Sequence, residues 1–328
     1  MNIKDIKEKV EMKKFACIIF TLTVAAIFAG CCTTSGAVEV ADQPVSADQL
    51  KKSGIVAAYP GWKLKALSFS YDDGHYADRQ LVKVFDKYGM KATFNIPSGL
   101  FGKPKPGNMV DPSEVKTLYG NHEVAGHGAH HINLPRKKPE LVSLELDGDI
   151  QNLPKLTGKK LLGYAYPYGR FSDMVIGIMR PKGLIYARTC KMAGNFDLPQ
   201  DFLMWHPYCH HNRVKGLAKK FLDYKAEKMS VLIVWGHSYE FIARLNKKTG
   251  QMSKPSWHVI ENFCKELSGK PELWYATMGE IATYVKATEK LTASKCGNFV
   301  KNNSDLPVYL LVNGKKYQIK PGKTVSVK

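Results

Sequence analysis

The sequence contains little cysteine, and none of it has the spacing of a metal-binding or redox motif. Of its seven cysteines, Cys31 and Cys32 are adjacent and the rest are scattered, with no C-x-x-C pair. A disulfide framework and a zinc finger are therefore excluded as organising principles. Internal repeats and low-complexity tracts are absent too, and the one long apolar run is shorter than the about 20 residues that a membrane-spanning helix needs.

Acidic residues are also few relative to basic ones. The chain has 29 Asp and Glu against 48 Lys and Arg, a formal net charge of +19. This excess favours anionic partners and carries no information about the fold. Otherwise the composition is ordinary, with 44% hydrophobic, 11% aromatic and 23% charged residues, which excludes disordered, collagen-like and coiled-coil classes. A chain of 328 residues forms one large or two modest domains.

The apolar run FACIIFTLTVAAIFAG occupies residues 15–30 and follows Lys13 and Lys14. Its length is typical of an export signal, so residues 1–30 are interpreted as a signal peptide. The ending Phe28-Ala29-Gly30-Cys31 resembles a bacterial lipoprotein signal, which predicts lipidation of Cys31. An uncleaved membrane anchor and cleavage after Ala37 are the alternatives.

These features predict an exported protein of the cell envelope that is held to a bacterial membrane by a lipid anchor. Without residues 1–30 the chain keeps 43 basic and 26 acidic residues, a net charge of +17. We therefore expect an anionic envelope surface as a possible partner and no role in nucleic-acid binding.

The rest of the chain divides into three parts. Residues 31–61 are small, polar and irregular and are interpreted as a tether. Residues 62–290 alternate strand-like runs with helical patterns, which predicts an α/β barrel of about seven units. The predicted strands are Leu64–Tyr71, Ala92–Ile96, His122–Gly126, Leu161–Pro167, Leu184–Thr189, Ser230–Trp235 and Leu273–Thr277. The predicted helices are Asp78–Tyr88, Val214–Lys228, Trp257–Leu267 and Thr277–Lys290.

Residues 291–328 have a different pattern and are interpreted as a small β appendage. Pro307–Val312 and Lys316–Ile319 flank Asn313-Gly314, which predicts a hairpin with a tight turn. Thr324–Val327 is a candidate third strand. An appendage of this size is not independently stable, so we expect it to pack against the barrel.

Groups that bind metals or transfer protons follow several of the predicted strands. Asp72 and Asp73 follow the first strand, and His127 and His131 follow the third with the spacing of one helical turn. Tyr166-Pro167-Tyr168-Gly169 follows the fourth strand and His237 ends the sixth. In an α/β barrel these strand ends meet at one face, where active sites lie. Two histidines and one carboxylate form a metal site with open positions for water and substrate.

This ordered set of motifs resembles the NodB-type polysaccharide deacetylases, carbohydrate esterase family 4, over about residues 62–288. The resemblance implies a distorted (β/α)7-type barrel and a metal-dependent hydrolase that removes acetyl groups from an acetylated polysaccharide, usually from N-acetylglucosamine. The implied ligands of the divalent metal are Asp73, His127 and His131. Zinc is the first choice, and the ligand set also accepts cobalt or nickel.

The residue types and the resemblance together predict the other roles. Asp72 is the predicted general base and His237 the predicted general acid. The backbone N–H of Tyr168 is the implied donor to the oxyanion.

The chain departs from the family pattern at two places. Ala165 stands where the third motif carries an arginine that pairs with the base, and Arg170 and Arg188 are the candidate substitutes. The fourth motif's Asp-Trp pair is absent, and a long segment, residues 190–212, follows instead. Its aromatic and histidine residues either contact sugar or cover the mouth of the barrel. The candidates for contact with substrate are Tyr166, Trp205, His206 and His210.

Three alternatives come from other classes of protein. Gly236-His237-Ser238-Tyr239-Glu240 nearly matches the nucleophile motif of serine esterases, but it lacks the second glycine. A catalytically silent glycan-binding protein would also account for the charge and the aromatic residues. A hydrolase of cyclic amides on the same barrel is the third, because a fold does not fix a substrate.

Overall fold

The computed structural model describes residues 45–102, 108–243, 251–294 and 297–327. The predicted signal peptide, residues 1–30, and Cys31 lie outside the described residues. Among the helices of the described part, none combines the length and apolar character needed to cross a bilayer. The cysteines of the described part, Cys190, Cys209 and Cys264, are all free thiols.

A parallel sheet forms the centre of the molecule. Its strands are β2 (Lys65–Asp72), β3 (Ala92–Ile96), β4 (Glu123–Gly126), β5 (Gly163–Ala165), β6 (Tyr186–Arg188), β7 (Cys209–His210), β8 (Ser230–His237) and β9 (Leu273–Tyr275). They pair in the order β6-β5-β4-β3-β2-β8-β7, and β9 pairs with the first residues of β2. The sheet curves into a half-barrel, so the predicted distorted α/β barrel is confirmed.

Helices cover the outside of this sheet. They are α2 (Asp78–Lys87), α3 (Val115–Leu118), α4 (Pro139–Thr157), α5 (Asp173–Met179), α6 (Leu217–Asp223), α7 (Trp257–Leu267) and α8 (Met278–Thr288). The helix α2 shows why they pack there. Its residues Leu81, Val84 and Phe85 recur at helical spacing and are buried. Each such side chain contributes roughly 1.5–3 kcal/mol when removed from water.

The strands β2 and β8 pair over their full length at the centre of the sheet. All eight residues of β2 are buried, as expected for a strand covered on both faces. The parallel register runs from Lys65 opposite Ser230 to Asp72 opposite His237. This register brings Asp72 and His237 to the same edge of the sheet.

The segment after β6 fills the gap between the two edges of the sheet. The Trp205 N–H donates to the Ala187 carbonyl at 2.9 Å, and the Thr189 N–H donates to the Trp205 carbonyl at 3.0 Å. A few residues later, β7 pairs with β8. This part of the long segment therefore joins β6 to β8 and closes the half-barrel.

The tether prediction is wrong for its described part. Helix α1 (Ala47–Lys52) and strand β1 (Ile55–Ala58) form there, and β1 pairs antiparallel with β12 (Val308–Val312). Ile55 and Ala58 are buried in this pairing, which covers an otherwise open sheet edge.

The predicted C-terminal hairpin forms from β12 and β13 (Lys315–Ile319). The predicted third strand also forms, as β14 (Thr324–Ser326), but it pairs with β11 (Phe299–Asn302) in a separate sheet with β10 (Leu291–Ala293). The third strand of the hairpin sheet is β1.

Candidate active site

The predicted site residues meet at the carboxyl end of the parallel strands. Asp73, His131 and Tyr168 lie in the loops that follow three different strands, and each has a positive φ, of 77°, 52° and 60° respectively. A positive φ in a residue other than glycine costs of order 1–3 kcal/mol and persists where the surrounding structure imposes it. These three backbone positions therefore store strain at the site.

Asp73, His127 and His131 are arranged as ligands of one metal ion. One ligand atom from each lies within 4.8 Å of the others. The Nε2 atoms of His127 and His131 are each 3.6 Å from Asp73 Oδ1. Ligands that lie about 2.0–2.2 Å from a tetrahedral ion are separated by about this distance. The residues present therefore fit a divalent metal ion.

The surroundings of His127 and His131 prepare both rings for metal binding. His127 Nδ1 lies 2.8 Å from the Ala165 carbonyl, so it carries the proton and leaves the Nε2 lone pair free. The His127 backbone N–H donates to Asp149 Oδ2 at 2.8 Å, which fixes the start of this loop. Burial and the neighbouring His127 lower the pKa of His131 to about 4, so its ring is neutral at pH 7.

Arg188 forms a buried ion pair with Asp72. Its Nη2 donates to both carboxylate oxygens, at 2.5 and 2.6 Å, and Asn95 Nδ2 donates to Oδ1 at 2.8 Å. Burial by itself raises the pKa of Asp72, but the charges of Arg188, His127 and His237 hold this pKa at about 2. The carboxylate is therefore ionised at neutral pH and able to accept a proton.

Arg188 is the residue that takes the place of the missing arginine of the third motif. It is fully buried, its Nε donates to Ser70 Oγ at 3.0 Å, and its guanidinium lies 5.0 Å from the centre of the Trp235 ring. The other candidate, Arg170, is exposed. The end of β6 therefore supplies the guanidinium.

Glu240 is a site residue that the sequence interpretation missed. Its Oε2 lies 3.6 Å from Nδ1 of His237, and the opposite ring nitrogen, Nε2, lies 3.9 Å from Asp73 Oδ2. Burial opposes protonation of His237, but Glu240, Asp72 and Asp73 outweigh it and raise the pKa of His237. Glu240 thus occupies the place of the orienting carboxylate that the fourth motif lacks. The signal in the sequence is its position three residues after His237.

Two of the predicted substrate contacts are wrong. Tyr166 is fully buried and its hydroxyl donates to the Leu203 carbonyl at 2.9 Å. Trp205 is also buried, and its ring packs edge-on against Tyr186 and Phe202. Both aromatic rings are therefore core residues, and neither reaches substrate.

The other two candidates from the same segment are half-buried. His206 Nδ1 lies 2.7 Å from Thr189 Oγ1. His210 lies beside Glu240, with 2.9 Å between His210 Nε2 and Glu240 Oε2. The exposed ring of Tyr168 lies edge-on to His131, with 4.6 Å between ring centres.

A cavity of about 500 Å³ opens beside the candidate metal ligands Asp73 and His131. Asp73 and His131 line its polar side, and Leu100, Met109 and Ile242 are among its apolar residues. A larger cavity of about 680 Å³ lies at the opposite end of the strands, next to Glu123 at the start of β4, and contains none of the predicted site residues. The smaller cavity is therefore the candidate substrate cleft.

Comparison with known proteins agrees with the motif order. A family model described as polysaccharide deacetylase matches residues 62–187, which include Asp72, Asp73, His127 and His131. No curated protein matches the chain.

Several solved structures are similar to this chain, and one with a TM-score above 0.5 shows the fold. A Mycobacterium smegmatis protein assigned to the polysaccharide deacetylases has a TM-score of 0.51 and 16% identity, covering 76% of this chain and 96% of its own. A Streptococcus pyogenes deacetylase in complex with acetate has a TM-score of 0.39 and 21% identity over 42% of this chain. A Bacillus cereus polysaccharide deacetylase has a TM-score of 0.37 and 26% identity over 42% of this chain. This chain covers 61% and 44% of the last two, less than two thirds of their length.

The predicted resemblance to the NodB-type deacetylases is thereby confirmed over residues 62–187. The family model ends before Arg188, Glu240 and His237, so these residues stand on the geometry alone.

Proposed function

We propose that this chain, which carries a NodB-type polysaccharide deacetylase domain, is a metal-dependent hydrolase that releases acetate from an acetylated polysaccharide. The bond cleaved is the C–N bond of N-acetyl groups on N-acetylglucosamine-type residues. The observation that supports the proposal is that three features lie together at one edge of the sheet. They are the Asp73–His127–His131 triad, the ionised Asp72, and His237 with its raised pKa.

The metal triad supplies one part of the chemistry. Asp73, His127 and His131 would hold a divalent cation, zinc by preference, which would polarise a carbonyl and lower the pKa of bound water. The contact between His127 Nδ1 and the Ala165 carbonyl directs Nε2 of that ring at the site, and burial lowers the pKa of His131 to about 4.

Asp72 accepts the proton of the attacking water. Its partner Arg188 fixes the carboxylate in place and keeps it ionised, so it is ready to act as a base at neutral pH. As charge develops on the carbonyl oxygen, the backbone N–H of Tyr168 donates a hydrogen bond to it.

His237 donates a proton to the leaving nitrogen. An amine is a poor leaving group unless it is protonated, so an acid is needed at this step. Glu240 lies beside Nδ1 of His237 and favours the protonated ring, and Nε2 faces the triad. The carboxylate of Glu240 therefore orients the His237 ring from the side that faces away from the triad.

The test is acetate release from a panel of acetylated glycans, with and without a chelator. The wild type should release acetate from N-acetylglucosamine oligomers only when divalent metal is present. His131→Ala should lose the ion of the Asp73–His127–His131 triad and activity together, whereas exposed Asp223→Asn, a matched control, should keep both. Glycan binding without acetate release in the metal-loaded wild type would support the silent binding protein and overturn the proposal.

Export and a lipid anchor at Cys31 are part of the same proposal. An envelope location would place the cleft next to polymeric glycans, and the net charge of +17 left after residues 1–30 would favour an anionic envelope surface. The supporting feature is the apolar run that ends at Gly30-Cys31.

A further inference from the structure

A second group of metal-ligand atoms faces the other edge of the His237 ring. His210, His211 and Glu240 each offer one ligand atom, and these atoms lie within 4.8 Å of one another. Glu240 Oε2 lies 2.9 Å from His210 Nε2 and 3.1 Å from His211 Nε2. Two imidazole nitrogens and one carboxylate oxygen form the same donor set as the Asp73–His127–His131 triad.

The contacts within this cluster are not directed hydrogen bonds. Glu240 Oε2 is buried and accepts no hydrogen bond of good geometry, although two ring nitrogens lie within 3.1 Å. A buried carboxylate oxygen without a directed donor is uncommon in a folded protein and calls for a further partner. Two imidazole nitrogens and one carboxylate oxygen that lie this close together are a donor set that a transition-metal ion accepts.

The rings of the cluster are held in place by packing. His211 is 4% exposed and its ring lies between Tyr71 and Phe241, with ring centres 5.7 and 4.2 Å away. The close approach of this ring to β8 requires Gly236, since a Cβ there would lie 2.0 Å from His211 Nδ1. His210 packs edge-on against Trp235 at 4.7 Å. The nitrogen atoms are therefore preorganised, as a metal site requires.

We propose that His210, His211 and Glu240 form a second binding site for a divalent transition-metal ion, with zinc as the preferred metal. Its nitrogen and oxygen ligands suit zinc, cobalt or nickel better than magnesium or calcium. Without the ion, the Asn212 N–H donates to His210 Nδ1 over a long distance of 3.3 Å. When Nε2 of His210 binds the ion, the ring carries its proton on Nδ1, so this contact is lost.

Occupancy of this site opposes the acid role of His237. The ion takes up the carboxylate of Glu240, which lies 3.6 Å from Nδ1 of His237 and then no longer orients that ring. A metal concentration above one equivalent should therefore inhibit cleavage of N-acetyl groups. This consequence rests on the proposed function, whereas the binding site itself does not.

The experiment counts metal ions. Full-length protein is stripped with a chelator, dialysed against zinc and measured by elemental analysis, with circular dichroism to confirm folding. We expect two ions per chain in the wild type, one in His131→Ala, one in Glu240→Gln and none in the double variant. His258→Gln, which removes an exposed histidine, is the matched control and should bind two.

One ion per chain in the wild type, or two in Glu240→Gln, would overturn the second site. If Glu240→Gln does not fold, His210→Gln takes its place with the same expected count. Acetate release measured against zinc concentration separates the two proposals. A count of two without inhibition supports the site and contradicts only the acid role of His237.

Discussion

The buried ion pair between Arg188 and Asp72 makes a sharp test of the site geometry. Arg188→Met keeps an unbranched apolar stem and removes the guanidinium with its charge. Asp72 is then left buried, at 2% exposure, without its cation. Removing one partner of a buried ion pair typically costs about 3–5 kcal/mol, because the other charge stays desolvated. We therefore expect a loss of this size in the free energy of unfolding.

A double-mutant cycle separates the ion pair from the other contacts of Arg188. Asp72→Asn, Arg188→Met and the combined variant are unfolded in urea at neutral pH with a chelator present, so that metal binding does not contribute. Arg188→Met removes the hydrogen bond to Ser70 whether residue 72 is Asp or Asn, so the free energy of this bond cancels in the cycle. The coupling energy should be about 3 kcal/mol, the upper end for residues in contact.

Arg170→Met is the matched control, because Arg170 is exposed and should change stability by no more than about 0.5 kcal/mol. In Arg188→Met the pKa of Asp72 should rise, since burial is no longer opposed by the guanidinium. The acidic limb of the profile of kcat/KM against pH should therefore move to higher pH. Additive effects in the cycle, or an equal loss in Arg170→Met, would refute the pairing.

Three further predictions concern stability, the acid and the anchor. Burial lowers the pKa of His122 to about 4, so the unfolded state binds a proton that the folded state does not. The free energy of unfolding should fall by about 3 kcal/mol as the pH drops from about 6.5 to about 4, and urea titrations of His122→Asn should lack this component. Glu240→Gln should lower kcat on an N-acetyl substrate by about 10–100-fold, and an equal loss on an aryl acetate in the same assay would contradict its role. Cys31→Ala should move the protein from the membrane fraction to the soluble fraction, and a mature N-terminus at Val38 by mass spectrometry would contradict lipidation.

The positions of the central site residues follow from the sequence because the fold fixes them. Asp72, Asp73 and His237 lie at the ends of apolar runs, and His127 follows another. Once those runs are parallel neighbours in one sheet, their carboxyl ends must meet. Strand and helix type could therefore be predicted from periodicity, and so could the set of residues at that edge.

The partners of these residues could not be predicted in the same way. Arg170 lies after β5 and Arg188 is the last residue of β6, so both are near the site. Only the direction of the Arg188 side chain decides which of them pairs with Asp72. Glu240 lies three residues after His237, yet the tight turn that brings its carboxylate back to the ring is not visible in the spacing.

The burial of particular aromatic residues and the pairing of strands far apart in the chain could not be predicted from the sequence pattern either. Tyr166 and Trp205 are aromatic residues of the kind that stack on sugars, but both are buried in the core. Strand β1 is short, and its partner β12 lies more than 250 residues later, with Ile55 opposite Val312. A local pattern of four residues gives no sign of such a partner.

The most direct test of the central claim compares two variants on two kinds of substrate. His237→Ala should lower kcat on an N-acetyl substrate on the order of 10²–10⁴-fold and should affect an activated aryl acetate much less, because an aryl oxide leaves without a proton. Asp72→Asn should impair both substrates, since each reaction needs the activated water. Equal losses on amide and ester in His237→Ala, with metal content unchanged, would contradict the division of base and acid between Asp72 and His237.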